Sequence, residues 1–331
     1  MPWHGQGAYA VWLSEIILQQ TRFEQGLPYY LKFIESFPSV NDLANAPSER
    51  VMQLWQGLGY YSRARNLHKA AQTIRDEFGG VFPNTYEAIL SLTGIGPYSA
   101  AAIASFAFGL AHAVVDGNVY RVLGRIYGIE TAIDSTKGKK EFQALADTLL
   151  DPKRPGDFNQ AIMNFGATHC TPQQPKCETC PFNKECSAYL TERVQELPHK
   201  EKKIKLKQRF LHFILLESDS HIIVQERKGK DIWQGLYTLP MLELSEDRLA
   251  LDSDWKGFFK TQGWTGFRGE LALIGEESQL LSHQKLKMRF YRTSMPHSFV
   301  GQYGIAKEQA ASYGYPKTIA AFLQKKKGSA S

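Results

Sequence analysis

The sequence predicts a two-domain protein: an all-α first half that closes on a loop of four cysteines, a basic linker, and an α+β second half. Three observations carry this. Apolar residues recur at helical spacing, punctuated by Pro and Gly, through roughly the first 190 residues. All four cysteines fall between Cys170 and Cys186. Beyond the basic run that follows Pro198, apolar and polar residues begin to alternate as they do in strands. The 331 residues are enough for two cores, and 43% hydrophobic with 22% charged residues excludes a disordered or collagen-like chain.

Taken in order, helices are expected over Ala8 to Gln20, Pro28 to Phe37, Glu49 to Trp55, Arg63 to Phe78 and Asn84 to Leu92. Asn84 with Glu87 three residues later has the form of a capping box. Val119 to Tyr127, Lys139 to Leu150 and Phe158 to Gly166 continue the helical pattern. The stretch Tyr98 to Val115 has no Asp, Glu, Lys or Arg and approaches membrane-span length. It is rich in Ala, Ser and Gly and contains His112, so a buried helix with its exit turn is the expectation. In the second half Phe210 to Glu217, His221 to Arg227, Leu236 to Pro240 and Lys285 to Arg292 read as strands, and Pro316 to Lys325 as a terminal helix. Met1 to His4 lack a charged and then apolar leader, so a cytoplasmic product is expected.

Lys plus Arg outnumber Asp plus Glu by 39 to 33, a net +6 that permits nucleic-acid binding without requiring it. From Pro198 to Arg209 six basic residues stand against Glu201, a local +5. A solvated linker is the plainer reading of that run.

The cysteines are spaced x6, x2, x5, and four soft ligands within 17 residues point to a metal site. Spacing alone leaves zinc and iron–sulfur level. Leu92-Thr93-Gly94-Ile95-Gly96 lies between two helical stretches, where paired glycines let backbone N–H groups and a helix N-terminus meet an anion; a plain helix–helix turn needs the same residues. Asp116 stands between an apolar run and a new helix, a place that favours a carboxylate; it equally fits a simple cap. Glu15 lies among Trp12, Leu13, Ile16, Ile17 and Leu18, where burial would keep a proton on it, unless it faces solvent. Two acids in unequal environments are the pattern of glycosidic-bond cleavage.

The segments VWLSEIILQQT, LWQGLGYYSRARNLHKAA, LTGIGPYSAAAI, VVDGNVYRVLGR and FNQAIMNFGATHC run in order through residues 11 to 170. With the cysteine spacing, they resemble the MutY family of adenine-DNA glycosylases, in the endonuclease III or helix-hairpin-helix superfamily. The resemblance implies an all-α glycosylase domain over residues 1–190, with the hairpin at about 84–108 and an iron–sulfur loop at 170–186. A linker at 191–208 and an α+β Nudix (MutT)-like domain over 209–331 would follow. It also implies a 4Fe-4S cluster on Cys170, Cys177, Cys180 and Cys186, with Lys176 and Lys184 beside it, and a monovalent cation at the hairpin.

By the same resemblance Glu15 protonates adenine N7, Asp116 steadies or traps the sugar cation, and Asn118 orders the site. Gln160 contacts adenine, Trp3 walls its pocket, Gln20 and Tyr60 wedge the DNA, and Gly94 and Gly96 approach phosphate. Tyr98 occupies the position where strand-cutting relatives carry a Schiff-base Lys, so base removal without a lyase step is expected. Leu281, Ser282 and His283 match a loop that reads 8-oxoguanine, with Leu in place of the family's frequent Phe. The adjacent serine and histidine lack an acid that would make them a hydrolase. No Nudix hydrolase box appears between Gly235 and Glu270, so pyrophosphate hydrolysis is not expected.

The expected function is monofunctional excision of adenine mispaired with 8-oxoguanine or guanine. The expected partner is double-stranded DNA carrying that mispair, bound by a monomer without a membrane. Relatives carry about twenty further residues upstream, and here Met1 and His4 replace their Leu and Arg. Either a truncated chain or a misassigned start is therefore expected, and truncation raises a non-catalytic lesion-binding protein as the rival. A bifunctional endonuclease III-like enzyme is the second rival, disfavoured by Tyr98.

Overall fold

Helical periodicity in the first half yields α1 (Ala8–Leu18), α2 (Phe23–Ser36), α3 (Val40–Asn45), α4 (Ser48–Leu54), α5 (Ser62–Glu77) and α6 (Tyr86–Ser91). It continues through α7 (Pro97–Phe108), α8 (Gly117–Tyr127), α9 (Thr136–Leu149), α10 (Pro155–Thr168) and the short α11 (Ser187–Leu190). The computed structural model describes residues 7–201, 206–264, 271–293 and 297–328. The chain divides into two compact units, Met1–Asn45 with Asn66–Lys203, and Ala46–Arg65 with Ile204–Ser331.

In the helical unit α1 is apolar nearly all round and is buried accordingly, with Trp12, Leu13 and Ile17 all at 0% exposure. It packs against α2 and α7. Small residues from Ser99 to Ser105 line the buried part of α7 and let neighbouring helices approach closely. The stretch free of charged residues is thus a core helix and its exit turn, and among the described residues no helix is long and apolar enough to cross a membrane. Helix α10 packs on α7 and α8, and α11 on α8.

Two of the helix starts that differ from expectation have a clear cause. Helix α2 begins at Phe23, five residues before Pro28, because its first turn packs on α1: a Cβ on Gly26 would lie 2.5 Å from Leu18 Cδ2. That packing outweighs the backbone hydrogen bond that Pro28 cannot make. The Asn84 capping box does not form. Thr85 is the cap instead, its hydroxyl accepting from the Ala88 N–H at 3.3 Å.

The second unit centres on a four-stranded mixed sheet, in the order β5–β1–β7–β6. Its strands are β1 (Lys207–Leu215), β5 (Met241–Leu244), β6 (Ala272–Leu280) and β7 (Gln284–Arg292), with β2 (His221–Ile222), β3 (Gln225–Glu226), β4 (Tyr237–Thr238) and β8 (Ile305–Ala306) in two small ladders. Strands β1 and β7 run parallel with Phe213 opposite Phe290, while β6 and β7 form an antiparallel hairpin. Side chains alternate across the sheet as the period of two requires. Phe213 and Phe290 stack on one face, where Phe322 of α15 (Lys317–Gly328) adds a ring 4.0 Å from Phe290. His212, Ile214 and Tyr291 face the other way, toward Trp255 and Phe259 of α12 (Asp252–Thr261). Short helices α13 (His297–Tyr303) and α14 (Lys307–Ala311) complete the unit.

Residues 46–65, placed by sequence in the first domain, group with this sheet unit. Specific bonds hold them there: Gln56 Oε1 accepts from the Tyr315 N–H at 3.2 Å, and Arg65 donates to the Gln234 carbonyl. Residues 191–201 group with the helices, where the Leu197 and His199 carbonyls accept from Arg125 and from the Ile133 N–H.

The two hairpin glycines are unlike. Gly94 has φ 83°, and a Cβ there would lie 2.5 Å from Asn66 Cβ, whereas a Cβ on Gly96 would meet nothing within 4 Å. Gly94→Ala should therefore lower stability by about 2 kcal/mol, from backbone strain plus overlap. Gly96→Ala has room for its Cβ and an ordinary φ, so it should cost less, no more than about 1 kcal/mol, the loss coming from alanine being a poorer N-cap for α7. Thermal melts of the two variants check this contrast.

Candidate active site

Val11, Glu15 and Leu18 fall on one face of α1, because residues four and seven apart on a helix align. That face lines a cleft of about 700 Å³ in the helical unit. Tyr98 and Gly96 reach it from the start of α7, Asp116 and Asn118 from the start of α8, Gln160 and Met163 from α10, and Gln20 from the turn after α1. Six of the residues singled out in sequence for catalysis or base contact, Glu15, Gln20, Tyr98, Asp116, Asn118 and Gln160, thus share one cleft.

The two acids sit in different surroundings. Burial pushes Glu15 from 4.5 up to about 7; a hydrogen bond from the Tyr98 hydroxyl opposes that rise, and the negative charge of Asp116 adds to it. Burial raises the Tyr98 phenol well above its usual range, the Glu15 and Asp116 charges adding to this, so it serves as a donor. Asp116 caps α8 and lines the cleft at once. Its Oδ1 accepts from the Asn118 and Val119 N–H groups and its Oδ2 from Asn118 Nδ2, each at 2.8 Å. Three donors thus converge on one carboxyl.

The residues that fix this arrangement were not singled out in sequence. Arg121 Nη2 donates to Asn118 Oδ1 at 2.8 Å and to the Gly166 carbonyl at 2.6 Å, while its Nε donates to the Cys170 carbonyl at 2.7 Å. A Cβ on Gly166 would come within 2.7 Å of Asn118 Cβ, so only glycine lets α10 approach so closely. Asn159, fully buried, accepts from the Val114 N–H and donates to Ser105 Oγ and the His112 carbonyl, pinning the loop that leads into Asp116. The available signal was two arginines four apart in an otherwise apolar helix, Arg121 and Arg125, now 9% and 3% exposed.

Cys170, Cys177, Cys180 and Cys186 line one small cavity in the same unit, together with Phe165, His169 and Arg125, and none is in a disulfide. Arg125 Nη1 donates to Cys170 Sγ at 3.4 Å and to the Thr171 carbonyl at 2.8 Å. Burial raises the Cys177 and Cys180 thiols; the nearby sulfurs add to the rise at Cys177, and Arg125 opposes it there. Among the described residues no group of three or more His, Cys, Asp or Glu is arranged to hold a metal ion.

In the sheet unit, the Tyr60 hydroxyl is hydrogen-bonded to Ser282 Oγ. Ser282 lies with Leu281 and His283 in the turn between β6 and β7. Tyr60 has φ 48° and is 40% exposed. Gln20, in the helical unit, has φ 55°. Trp3 lies outside the described residues.

The HhH-GPD superfamily of base excision DNA repair proteins matches residues 13–148. The chain is 36% identical over 250 residues to the adenine DNA glycosylase of Buchnera aphidicola subsp. Acyrthosiphon pisum, covering 75% of this chain and 71% of that one. The chain belongs to the MutY family of adenine DNA glycosylases. It is also 50% identical over 182 residues to the human adenine DNA glycosylase, covering 55% of this chain and 33% of the longer human one. A solved thermostable thymine-DNA glycosylase matches with a TM-score of 0.54 and 33% identity, over 58% of this chain and 88% of that one. A non-covalent endonuclease III–DNA complex shares the fold at a TM-score of 0.51 and 22% identity, over 56% and 86% of the two chains.

For this MutY-family chain, Arg121→Met would leave Asn118 Oδ1 and two buried carbonyls without their charged donor. The expected loss is about 3 kcal/mol or more in chemical denaturation, and Arg121→Lys should recover little of it because an ammonium cannot span three acceptors in a fork.

Proposed function

We propose that the chain is a monofunctional adenine-DNA glycosylase acting on adenine opposite 8-oxoguanine or guanine in base excision repair. The observation that carries this reading is Glu15, raised to about 7 within the cleft it shares with Asp116 and Tyr98. Adenine turned out of the stack enters the cleft. The Glu15 carboxylic acid donates its proton to adenine N7, the C1′–N9 bond breaks with its electron pair leaving on the base, and the Asp116 carboxylate offsets the positive charge left on the sugar. Water deprotonated by Glu15 then completes the abasic site. Asn118 holds Asp116, and Gln160 faces the base. A tyrosine at Tyr98 has no amine for a Schiff base, which supports base removal without strand cutting.

The same reading gives the hairpin glycines a phosphate contact at the start of α7. Gln20 and Tyr60 act as wedges, and Ser282 with His283 reads the lesion in the opposite strand; the Tyr60–Ser282 bond supports this pairing of roles. A mixed sheet with helices on both faces is compatible with a Nudix-like second domain. The four cysteines supply the donor set of a 4Fe-4S cluster, which asks for one thiolate per iron rather than three or more about a single ion: all are free thiols on one cavity, and Arg125 already donates to one sulfur. When bound, that group supplies a rigid crosslink for residues 170–186.

The deciding assay is release of adenine from a duplex with a single A opposite 8-oxoguanine. Tight binding without release would replace this reading with a lesion sensor. Glu15→Gln should abolish release while largely keeping mispair binding. Because the acid must be protonated, single-turnover excision should fall as pH rises through about 7, which a rate profile from pH 5 to 9 would reveal.

The raised acid also has a stability signature of definite sign. With a folded value of about 7 against 4.5, the Glu15 contribution is complete below about pH 4.5 and is lost as pH rises to about 7. The span corresponds to roughly 3 kcal/mol. Relative to the wild type, Glu15→Gln should therefore gain in melting temperature between pH 5 and 8, as paired melts at each pH would read out.

A further inference from the structure

We propose that His169 donates a hydrogen bond from Nε2 to a sulfur of the metal group held by the four cysteines and thereby raises its reduction potential; this rests on the iron–sulfur reading above. His169 immediately precedes Cys170 and lines the same cavity as all four cysteines. Its backbone is fixed on both sides, the N–H donating to the Phe165 carbonyl at 2.9 Å and the carbonyl accepting from the Lys176 N–H at 3.1 Å. The imidazole lies flat on Phe165, with centroids 5.1 Å apart and planes 13° apart, and Phe182 meets that phenyl edge-on at 5.6 Å. The stacking fixes the plane of the ring. Its Nε2 is buried and has no hydrogen-bond partner in the protein.

A buried ring nitrogen left unpaired is costly. Beside a cavity walled by four sulfurs, the missing partner is a sulfur acceptor. Thiolate and sulfide sulfurs only accept, so the tautomer carrying hydrogen on Nε2 is the one that satisfies both sides. Arg125 makes the corresponding N–H contact to Cys170 Sγ from the α8 side. A donor to sulfur stabilises the more negative, reduced state and so raises the potential.

The test is protein-film voltammetry on the holoprotein, together with iron and acid-labile sulfide content. His169→Phe keeps an aromatic ring and removes the donor; it should retain metal content while the potential falls, by roughly the 59 mV that corresponds to tenfold in a one-electron equilibrium. His169→Gln, which restores an N–H, should recover part of that shift. An unchanged potential in a fully loaded His169→Phe protein would overturn the inference while leaving the cluster reading intact. If His169→Phe loses the metal, retention by His169→Gln supports the donor role, and loss by both overturns it. Absence of iron and sulfide from the wild type would remove the cluster reading and this inference together.

Discussion

A carboxylic acid that keeps its proton near neutral pH requires surroundings in which its anion is poorly solvated, and that requirement organises the helical unit. The helix that carries Glu15 has Trp12, Leu13, Ile16 and Ile17 buried around it, so little water reaches the carboxyl from the protein side. Burial alone would drive the group higher still. The Tyr98 hydroxyl pulls it back by donating to the anion, and Asp116 pushes it up by its charge. An acid near 7 is the balance of these effects, and each comes from a different helix, which is why the packing of α1 against α7 and the start of α8 matters to the chemistry.

Asp116 is held by a different device. A line of hydrogen bonds runs from the Cys170 carbonyl to Arg121, from Arg121 to Asn118, and from Asn118 to Asp116. The cysteine loop therefore touches the carboxylate through two side chains, with no redox event needed to link them. Arg121 and Arg125 both spend their donors largely on backbone carbonyls that no helix or strand satisfies, which binds the loop at 170–172 and residue 197 to α8. Anything that loosens the loop frees the Arg121 fork first, and Asn118 and Asp116 after it.

Much of this was legible because local pattern and environment agreed. Neighbouring residues marked a glutamate inside an apolar helix and an aspartate at a helix start as candidates, but each also fitted a plainer reading until the family resemblance was added. Strands β1 and β7 announced themselves by alternation, since each presents both faces to packing partners. Strand β6 did not: it lies at the sheet edge and is half-buried at best along its length, so no alternation was selected into its sequence. Helices α12 to α14 are short, and their apolar residues had no periodic frame to be read against. Arg121, Arg125 and Asn159 were missed for a different reason, because their meaning lies in partners more than 40 residues away in the chain.

The two residues singled out as wedges share a feature that sequence cannot display. Gln20 and Tyr60 have positive φ without being glycine, a conformation that costs about 1 to 2 kcal/mol for a side-chain-bearing residue. Such strain persists only where the surroundings over-determine it. At Tyr60 they do: Trp55 Nε1 and Arg63 Nη2 both donate to the Gly59 carbonyl, at 3.0 and 3.2 Å, and the Arg63 guanidinium lies 5.1 Å from the Trp55 ring centroid and 5.6 Å from that of Tyr60. Glycine would relieve the strain at once, and Gly57 and Gly59 do so nearby, at φ 98° and 78°. The surroundings thus hold the Tyr60 ring, 40% exposed, at a strained backbone position where glycine would be easier to fold.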